Sequence, residues 1–315
     1  MSIAIDIRGL SRRFGSITAV DGLTLAIGRG ELFGLVGPDG AGKTTTLRML
    51  AGILTPSAGD AVVAGRALRK EPERIKSAIA YMSQRFGLYG DLTVLENIDF
   101  YADLFEVPRT ERPARVRRLL EFSGLGPFGD RLADKLSGGM KQKLGLACAL
   151  VHQPEVVLLD EPTNGVDPVS RRDFWQILYE MLKQGVTILM STAYLDEAER
   201  CSRVGLIHQG RLLAVDTPSG VKALLRTDLV EITVRDAWRG REVLARVPEA
   251  REATVFGQRL HVALTDATRD LPAVLRALQA ADLAPGDARR IVPSLEDVFV
   301  SVLADAQAKK PVSVV

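Results

Sequence analysis

The sequence predicts an α/β fold, with a mostly parallel sheet covered by helices, followed by a small α+β domain. From about residue 30 to residue 200, short apolar runs alternate with amphipathic segments of helical period, which is typical of parallel sheets with helical crossovers. After about residue 219, strand-like segments alternate apolar and polar residues, and two amphipathic helices follow. We therefore divide the chain into residues 1–218 and residues 219–315.

The predicted elements follow in order along the chain. Residues 3–36 are expected to form strands, because two segments alternate and a short apolar run then ends in glycine. Further strands are predicted at residues 155–160, 186–192, 230–236 and 259–266, and a hairpin at residues 203–215 turns at Gln209 and Gly210. Helices are predicted at residues 43–54, 94–122, 138–152, 170–185, 194–201, 271–283 and 295–306.

Composition is that of an ordinary globular protein. Of 315 residues, 25% are charged and 46% are hydrophobic, and the net charge of +2 is too small to indicate nucleic acid as a partner. Cys148 and Cys201 lack metal-ligand spacing, so two buried reduced thiols are expected. No targeting segment is recognised, and no run approaches the roughly 18 apolar residues that would cross a bilayer. We expect a cytoplasmic chain, and any work at a membrane would require another chain that spans it.

A glycine-rich segment between a predicted strand and a predicted helix carries the strongest local signal. "GPDGAGKTT" fits the pattern G-x-x-x-x-G-K-[ST], in which backbone N–H groups and a helix N-terminus surround a phosphate chain. Lys43 is expected to bind the β- and γ-phosphates and Thr44 to bind Mg²⁺, whereas Asp39 is unfavourable there unless it points outward or meets a cation. The predicted binding residues are Gly37, Pro38, Asp39, Gly40, Ala41, Gly42, Lys43, Thr44 and Thr45.

A second segment, "VVLLDE", delivers two carboxylates at the end of a buried strand. Asp160 is expected to hold Mg²⁺ through water. Glu161 is expected to polarise the attacking water or to accept its proton. An apolar run that ends in two acids is a weak signal alone, but its position after a phosphate loop strengthens it.

A third segment, "LSGG", lies between the other two. Ser137 is a good helix N-cap, and the N–H groups of Gly138 and Gly139 form a second anion site at the helix start. Two phosphate sites on separate segments of one chain suggest that each serves a different nucleotide.

Together these segments resemble the ATP-binding subunit of ABC (ATP-binding cassette) transporters, over about residues 3–218. The resemblance implies a P-loop NTPase cassette with a mixed sheet core, an N-terminal antiparallel β part and a helical subdomain at about residues 85–150. It implies hydrolysis of ATP with Mg²⁺ in a head-to-tail dimer, in which each ATP lies between one phosphate loop and the other chain's Ser-Gly-Gly. It also implies a separate transmembrane permease subunit, and therefore a peripheral position on the inner face of the cell membrane.

The resemblance assigns further residues. Phe14 fits the aromatic that stacks on adenine, and Gln84 fits the glutamine that touches Mg²⁺, alongside Thr44 and Asp160, and leads to the permease. Asp167, in "NGVD", fits the loop that crosses the dimer interface. The segments "GLYGDLTVLENIDFYADLF", "STAYLDEAER" and "PSLEDVFV" resemble ABC-2-type exporters of drugs or lipids, whose ATPase subunits often carry a C-terminal extension of this size.

One catalytic position departs from the family pattern. Ala193 stands where a histidine usually bonds the γ-phosphate and helps hold Glu161 and the attacking water. Loss of one such donor costs on the order of 10²–10³ in rate, and Tyr194 is not expected to substitute, since successive strand residues point to opposite faces.

Three interpretations of Ala193 remain open. The chain is a slow exporter ATPase, or it is the impaired half of a heterodimer with another ABC cassette that keeps the histidine, or it is a regulatory ATP-binding module without useful hydrolysis. Because Lys43, Gln84, Ser137 and Glu161 are present, we favour an ATPase subunit. A heterodimer explains Ala193 best, although a homodimer stays open.

Overall fold

The computed structural model describes residues 2–84, 87–225 and 227–308. The start of the predicted helical subdomain, at Arg85 and Phe86, and the carboxyl-terminal residues 309–315 lie outside the described residues. The chain divides into two compact units, Met1–Val215 and Asp216–Val315. No helix in the described part of the chain is long and apolar enough to span a membrane.

The first unit contains both strands and helices throughout its length. Its strands are β1 (Ile3–Phe14), β2 (Ile17–Gly28), β3 (Leu32–Val36), β4 (Ala58–Val63), β5 (Arg66–Ala67), β6 (Ile79–Met82), β7 (Val156–Asp160), β8 (Thr187–Thr192), β9 (Arg203–His208) and β10 (Arg211–Asp216). Its helices are α1 (Lys43–Leu50), α2 (Pro72–Lys76), α3 (Val94–Leu104), α4 (Arg112–Ser123), α5 (Gly138–Leu150), α6 (Pro168–Lys183) and α7 (Leu195–Ala198).

The central sheet of this unit places three strand ends at one edge. The order of its described strands is β10-β9-β3-β8-β7-β6, and β3 pairs in parallel with both β8 and β9, as β7 does with β6 and β8. Val36 is level with Thr192, and Asp160 is level with Ser191. Every residue of β3, β7 and β8 is buried, as expected for parallel strands covered on both faces, and each strand contains a short apolar run.

The predicted hairpin at the sheet edge is present between β9 and β10. Gln209 and Gly210, which separate the two strands, both have positive φ angles, of 47° and 78°. This backbone matches the twist of the flanking strands in two-residue hairpins, so the sheet is mixed as expected.

The amino-terminal strands form a separate antiparallel sheet, with the order β2-β1-β4-β5 among the described strands. One apolar cluster joins this sheet to the central sheet through α1, with Ile7 and Leu25 on one side, Leu47 in the middle and Phe33 on the other. Burial of these side chains, at roughly 1.5–3 kcal/mol each, holds the base of the phosphate loop between two sheets.

The helical part differs from the prediction of one helical stretch at residues 94–122. It consists of α3 and α4, which are separated by a turn. In this turn Glu106 has a φ angle of 53°, and Pro108 lies two residues further along the chain. A left-handed residue and a proline both oppose helical continuation. Thr93 caps α3 by a reciprocal pair of hydrogen bonds with Glu96, and α3, α4 and α5 share one apolar core.

The second unit is a small α+β fold. Its described strands are β11 (Asp228–Thr233), β12 (Ala250–Phe256), β13 (Arg259–Leu264) and β14 (Ala288–Ile291), in the antiparallel order β12-β13-β11-β14. Its described helices are α8 (Pro218–Lys222), α9 (Ala237–Leu244), α10 (Ala267–Ala280) and α11 (Leu295–Ala308). The sequence pattern did not indicate α8, α9, β12 or β14, because each is short or lacks a clean apolar period.

Candidate nucleotide-binding site

The phosphate loop leaves β3 and enters α1 at the predicted residues. Gly42, the N-cap of α1, has a φ angle of 103°, and a Cβ atom there would lie 2.4 Å from the carbonyl oxygen of Ala19. A Cβ atom on Gly37 would lie 2.2 Å from the carbonyl oxygen of Ile207. Both positions therefore require glycine, and the loop can curl tightly with its N–H groups directed to one side.

Lys43 lies under this loop with its side chain only 4% exposed. Its Nζ donates hydrogen bonds to the carbonyl oxygens of Gly37, at 2.7 Å, and Pro38, at 3.1 Å. It also forms an ion pair of 3.0 Å with Oε1 of Glu161. The ammonium group is thus held across the mouth of the loop, where an anionic ligand would meet it.

Asp160 and Thr44 meet at the end of β7. The Thr44 hydroxyl donates a 2.9 Å hydrogen bond to Oδ1 of Asp160, which is only 1% exposed. The same oxygen accepts a 2.8 Å bond from Ser191, and Oδ2 accepts a 3.3 Å bond from the Tyr81 hydroxyl. Burial raises the pKa of Tyr81, so this hydroxyl remains a donor. A carboxylate beside a hydroxyl is a donor set that suits Mg²⁺ held jointly with substrate phosphates.

Glu161 has a backbone conformation that is uncommon for a residue with a side chain. Its φ angle is 48°, in the left-handed region that costs a residue with a side chain roughly 1–3 kcal/mol. Its N–H is held by the hydroxyl of Ser191 at 3.0 Å. The carboxylate, 14% exposed, faces Lys43 through Oε1, and its Oε2 accepts 3.4 Å contacts from Nε2 of Gln84 and Nδ2 of Asn164.

A cavity of about 450 Å³ opens beside these groups. Seven consecutive residues of the predicted loop, from Asp39 to Thr45, line the cavity, together with Phe14, Gln84 and Glu161. Phe14 is exposed, and the guanidinium of Arg12 lies 4.6 Å from its ring centroid. A concave site that joins an exposed aromatic face to a cationic phosphate loop fits a nucleotide with its base at one end and its phosphates at the other.

Ser137 and Asp167 cap neighbouring helices instead of lining this cavity. The Ser137 hydroxyl accepts a 3.3 Å bond from the N–H of Met140 at the start of α5. Asp167 accepts bonds from two N–H groups at the start of α6, and the one from Ser170 contributes most to lowering the pKa of Asp167. A Cβ atom on Gly139 would lie 2.2 Å from the Ser170 hydroxyl oxygen, so glycine there lets the two helix starts pack closely. Gly138 has open space around it.

Ala193 lies just beyond the last residue of β8. It is exposed and forms a bend, and its methyl group offers no polar contact. The strand alternation assumed for Tyr194 needs correction, because β8 ends at Thr192 and the alternation does not continue past it, whereas the expectation that Tyr194 does not supply the missing γ-phosphate donor stays a prediction. The Tyr194 hydroxyl donates a 3.3 Å hydrogen bond to Oδ1 of Asn164.

Sequence reasoning missed Tyr81, Ser191 and Asn164 as members of the site. Ser191 sits level with Asp160 on the neighbouring strand, so its role could have been inferred once the strand order was known. Asn164 lies within the quoted "NGVD" segment, where only Asp167 was given a role. Tyr81 belongs to a short strand that carries no motif.

Comparison with known proteins identifies relatives of the whole chain. The family described as ABC transporter matches residues 20–164. The probable multidrug ABC transporter ATP-binding protein YbhF of Escherichia coli (strain K12) is 44% identical over 311 residues, covering 96% of this chain and 52% of that protein. The daunorubicin resistance ATP-binding protein DrrA2 of Streptomyces coeruleorubidus is 37% identical over 302 residues, covering 94% of each protein.

Solved structures agree with the predicted fold class. The structure of cbiO1 from Clostridium perfringens, part of the ABC transporter complex cbiONQ, superposes with a TM-score of 0.66 at 27% identity, covering 79% of this chain and 97% of that chain. The chain spans about half the length of the E. coli relative. It spans nearly all of the Streptomyces relative at an identity that establishes common descent. By sequence and fold alike, this chain belongs to the ATP-binding proteins of the ABC transporter family.

Proposed function

We propose that this chain binds and hydrolyses ATP as the ATP-binding subunit of an ABC-2-type exporter of drugs or lipids. The observation that carries the proposal is the meeting of four groups at one edge of the central sheet. At the mouth of the phosphate loop, the Thr44 hydroxyl lies 2.9 Å from the Asp160 carboxylate, and the Lys43 ammonium group lies 3.0 Å from the Glu161 carboxylate. The names of the relatives, which refer to multidrug transport and daunorubicin resistance, support drugs as the substrate class.

The loop and Lys43 would hold the phosphates. The N–H groups of residues 40–45 and the N-terminus of α1 attract the phosphate chain, and the Lys43 ammonium group is already positioned among oxygen ligands. Binding therefore exchanges a carboxylate contact of Lys43 for a phosphate contact. Phe14 would carry the adenine on its exposed face.

Glu161 would act on the attacking water. Its carboxylate lies beside Lys43 and Gln84 at the cavity wall, where it can polarise a water and accept its proton. Thr44 and Asp160, with Gln84, would hold Mg²⁺, which when bound neutralises charge that develops on the β- and γ-phosphate oxygens. Tyr81 and Ser191 orient the Asp160 carboxylate for that task.

The second anion site would serve a nucleotide held by another cassette. Ser137, Gly138 and Gly139 begin α5 outside the cavity at Lys43, as a head-to-tail dimer requires. Asp167 would lie at the interface of that dimer. The partner is a second copy of this chain or a different ABC cassette. The absence of a histidine at Ala193 favours a different cassette that supplies the competent site.

We assign residues 1–218 to the cassette, with its helical subdomain at about residues 85–150, and residues 219–315 to an accessory domain. A separate transmembrane permease would receive the work of ATP binding through the Gln84 segment. The chain would then act on the inner face of the cell membrane. A regulatory ATP-binding module is the second candidate, and Ala193, which lacks any donor for a γ-phosphate, is the observation that favours it.

One comparison of variants tests the site. Lys43→Ala should abolish ATP binding, measured with a fluorescent ATP analogue and Mg²⁺, because it removes the cation and opens the loop. Lys183→Ala, which removes an exposed lysine paired with Glu180 on α6, is the matched control and should bind as the parent does. Retained binding in Lys43→Ala would overturn the phosphate-loop assignment. Binding without phosphate release, both in the parent chain alone and in the parent chain with its partner cassette, would favour the regulatory module.

A further inference from the structure

A relay of side chains connects Tyr194 to the proposed catalytic carboxylate. The Tyr194 hydroxyl lies 3.3 Å from Oδ1 of Asn164, and Nδ2 of Asn164 lies 3.4 Å from Oε2 of Glu161. An amide accepts through its oxygen while it donates through its nitrogen, so one asparagine can serve both neighbours. Glu161 is then held on its other side by Lys43, at 3.0 Å.

Tyr194 is itself fixed in place at its ring and at its backbone. The guanidinium of Arg171 lies 4.9 Å from the ring centroid, a cation–π contact that restrains the ring plane. The Tyr194 N–H donates a 2.9 Å hydrogen bond to the hydroxyl of Thr192. Tyr194 is 38% exposed. These contacts direct its hydroxyl at the loop that follows β7.

The segments that carry Asn164 and Tyr194 are anchored to the same buried carboxylate. Glu197, only 1% exposed, accepts a 2.5 Å bond from the hydroxyl of Thr163 and a 3.1 Å bond from that of Thr192. Arg171 lies 3.6 Å from this carboxylate. The loop that carries Asn164 and the strand end that carries Tyr194 therefore cannot separate without breaking contacts at Glu197, and buried contacts to charged groups are costly to break.

We propose that Tyr194 is a positioning residue, which holds the Glu161 carboxylate through Asn164 and so replaces the orienting role of the missing histidine. The inference rests on the proposed ATP hydrolysis and deepens it. A neutral phenol and amide steady the carboxylate but place no donor on a γ-phosphate. The site would thus remain able to turn over, more slowly than one that also has the histidine. Contacts of 3.3 and 3.4 Å are of the kind that tighten when substrate closes a site.

Tyr194→Phe is the sharpest test, because it removes the hydroxyl and keeps the ring against Arg171. We expect kcat for ATP to fall about three- to tenfold, the range that loss of one neutral hydrogen bond gives, while the KM for ATP and the affinity for the ATP analogue stay unchanged. Tyr179→Phe on α6 is the matched control, since Tyr179 is also 38% exposed, and it should keep the parental kcat.

Asn164→Ala completes a double-mutant cycle. If the relay is real, Asn164→Ala lowers kcat at least as much as Tyr194→Phe, and adding Tyr194→Phe to it causes no further fall, because the phenol acts only through the amide. Three results would each overturn the role of Tyr194: an unchanged kcat in Tyr194→Phe, additive falls of kcat in the double variant, or a fall of kcat accompanied by weaker ATP affinity. As long as the parent chain hydrolyses ATP, these results leave the proposed function intact. A parent chain that binds ATP and releases no phosphate, both alone and together with its partner cassette, would overturn the proposed hydrolysis itself, and the role of Tyr194 with it.

Discussion

Glu161→Gln offers the most informative perturbation of the site. The substitution keeps the shape of the side chain and removes its charge. Glu161 holds the 3.0 Å ion pair with Lys43, and the two side chains are only 14% and 4% exposed. In the parent chain this carboxylate would compete with the phosphates of ATP for the ammonium group, and its negative charge would oppose theirs.

The expected size of the effect follows from that contact. A hydrogen bond to a charged group contributes about 1.5–3 kcal/mol, so removing the competitor should tighten ATP binding by roughly 10- to 100-fold. The same change removes the group that accepts the proton of the attacking water. Loss of a general base lowers kcat by about 10²–10⁴-fold. Tighter binding and lost turnover together should trap an ATP-bound head-to-tail dimer.

The assay combines three measurements on purified protein with Mg²⁺: affinity for a fluorescent ATP analogue, phosphate release, and apparent size on gel filtration with and without ATP. Glu180→Gln, at an exposed carboxylate paired with Lys183, is the control and should match the parent in all three. Undiminished phosphate release would refute the assignment of Glu161 as the base. Affinity equal to or below that of the parent would refute the competition for Lys43. An ATP-bound variant that stays monomeric would refute the head-to-tail dimer.

Three other predictions follow from the structure. Ala193→His should raise basal ATP hydrolysis by about 10²-fold, because it restores a donor at the γ-phosphate, and no increase in phosphate release would mean that other groups of the site are misplaced. Burial lowers the pKa of His152, so as pH falls this histidine takes up a proton in the unfolded chain before it does so in the folded chain. The free energy of unfolding should therefore fall as pH drops below about 6.5. Urea unfolding should show a flatter pH dependence for His152→Gln than for the parent chain. Burial raises the pKa of Cys148 and raises that of Cys201 to about 12, so a thiol reagent at mildly alkaline pH should label neither cysteine before denaturation, and rapid labelling of the native chain would contradict their burial.

Several features were predictable because each leaves a pattern in consecutive residues. Gly42 needs glycine for its own φ angle of 103°, and a short pattern identifies the loop, although the carbonyl oxygens that exclude a Cβ atom from Gly37 and Gly42 belong to distant residues. β3, β7 and β8 are buried on both faces, and the short apolar run that each contains reveals such strands. Gln209 and Gly210 supply the left-handed turn of the hairpin.

Other features were predicted imperfectly because their signal is weak or short. The break between α3 and α4 depends on Glu106 adopting a positive φ, which the residue type does not favour. β5 has two residues and β6 has four, too few for a period to be read. These strands form because neighbouring strands complete their hydrogen bonds, and those neighbouring strands lie elsewhere in the chain.

By itself, the sequence determined the phosphate loop, the two carboxylates that follow β7, the capped helix after "LSGG" and the loss of histidine at Ala193. Only the tertiary structure decided how these groups meet. Parallel pairing of β3, β8 and β7 brings Lys43 to within 3.0 Å of Glu161, although they are far apart in the chain. The end of β8 at Thr192 releases Tyr194 from strand alternation and lets it reach Asn164. A turn or loop conformation is indicated by residues that are adjacent in the sequence, whereas these contacts depend on the order of the strands in the sheet and on the residue at which β8 ends.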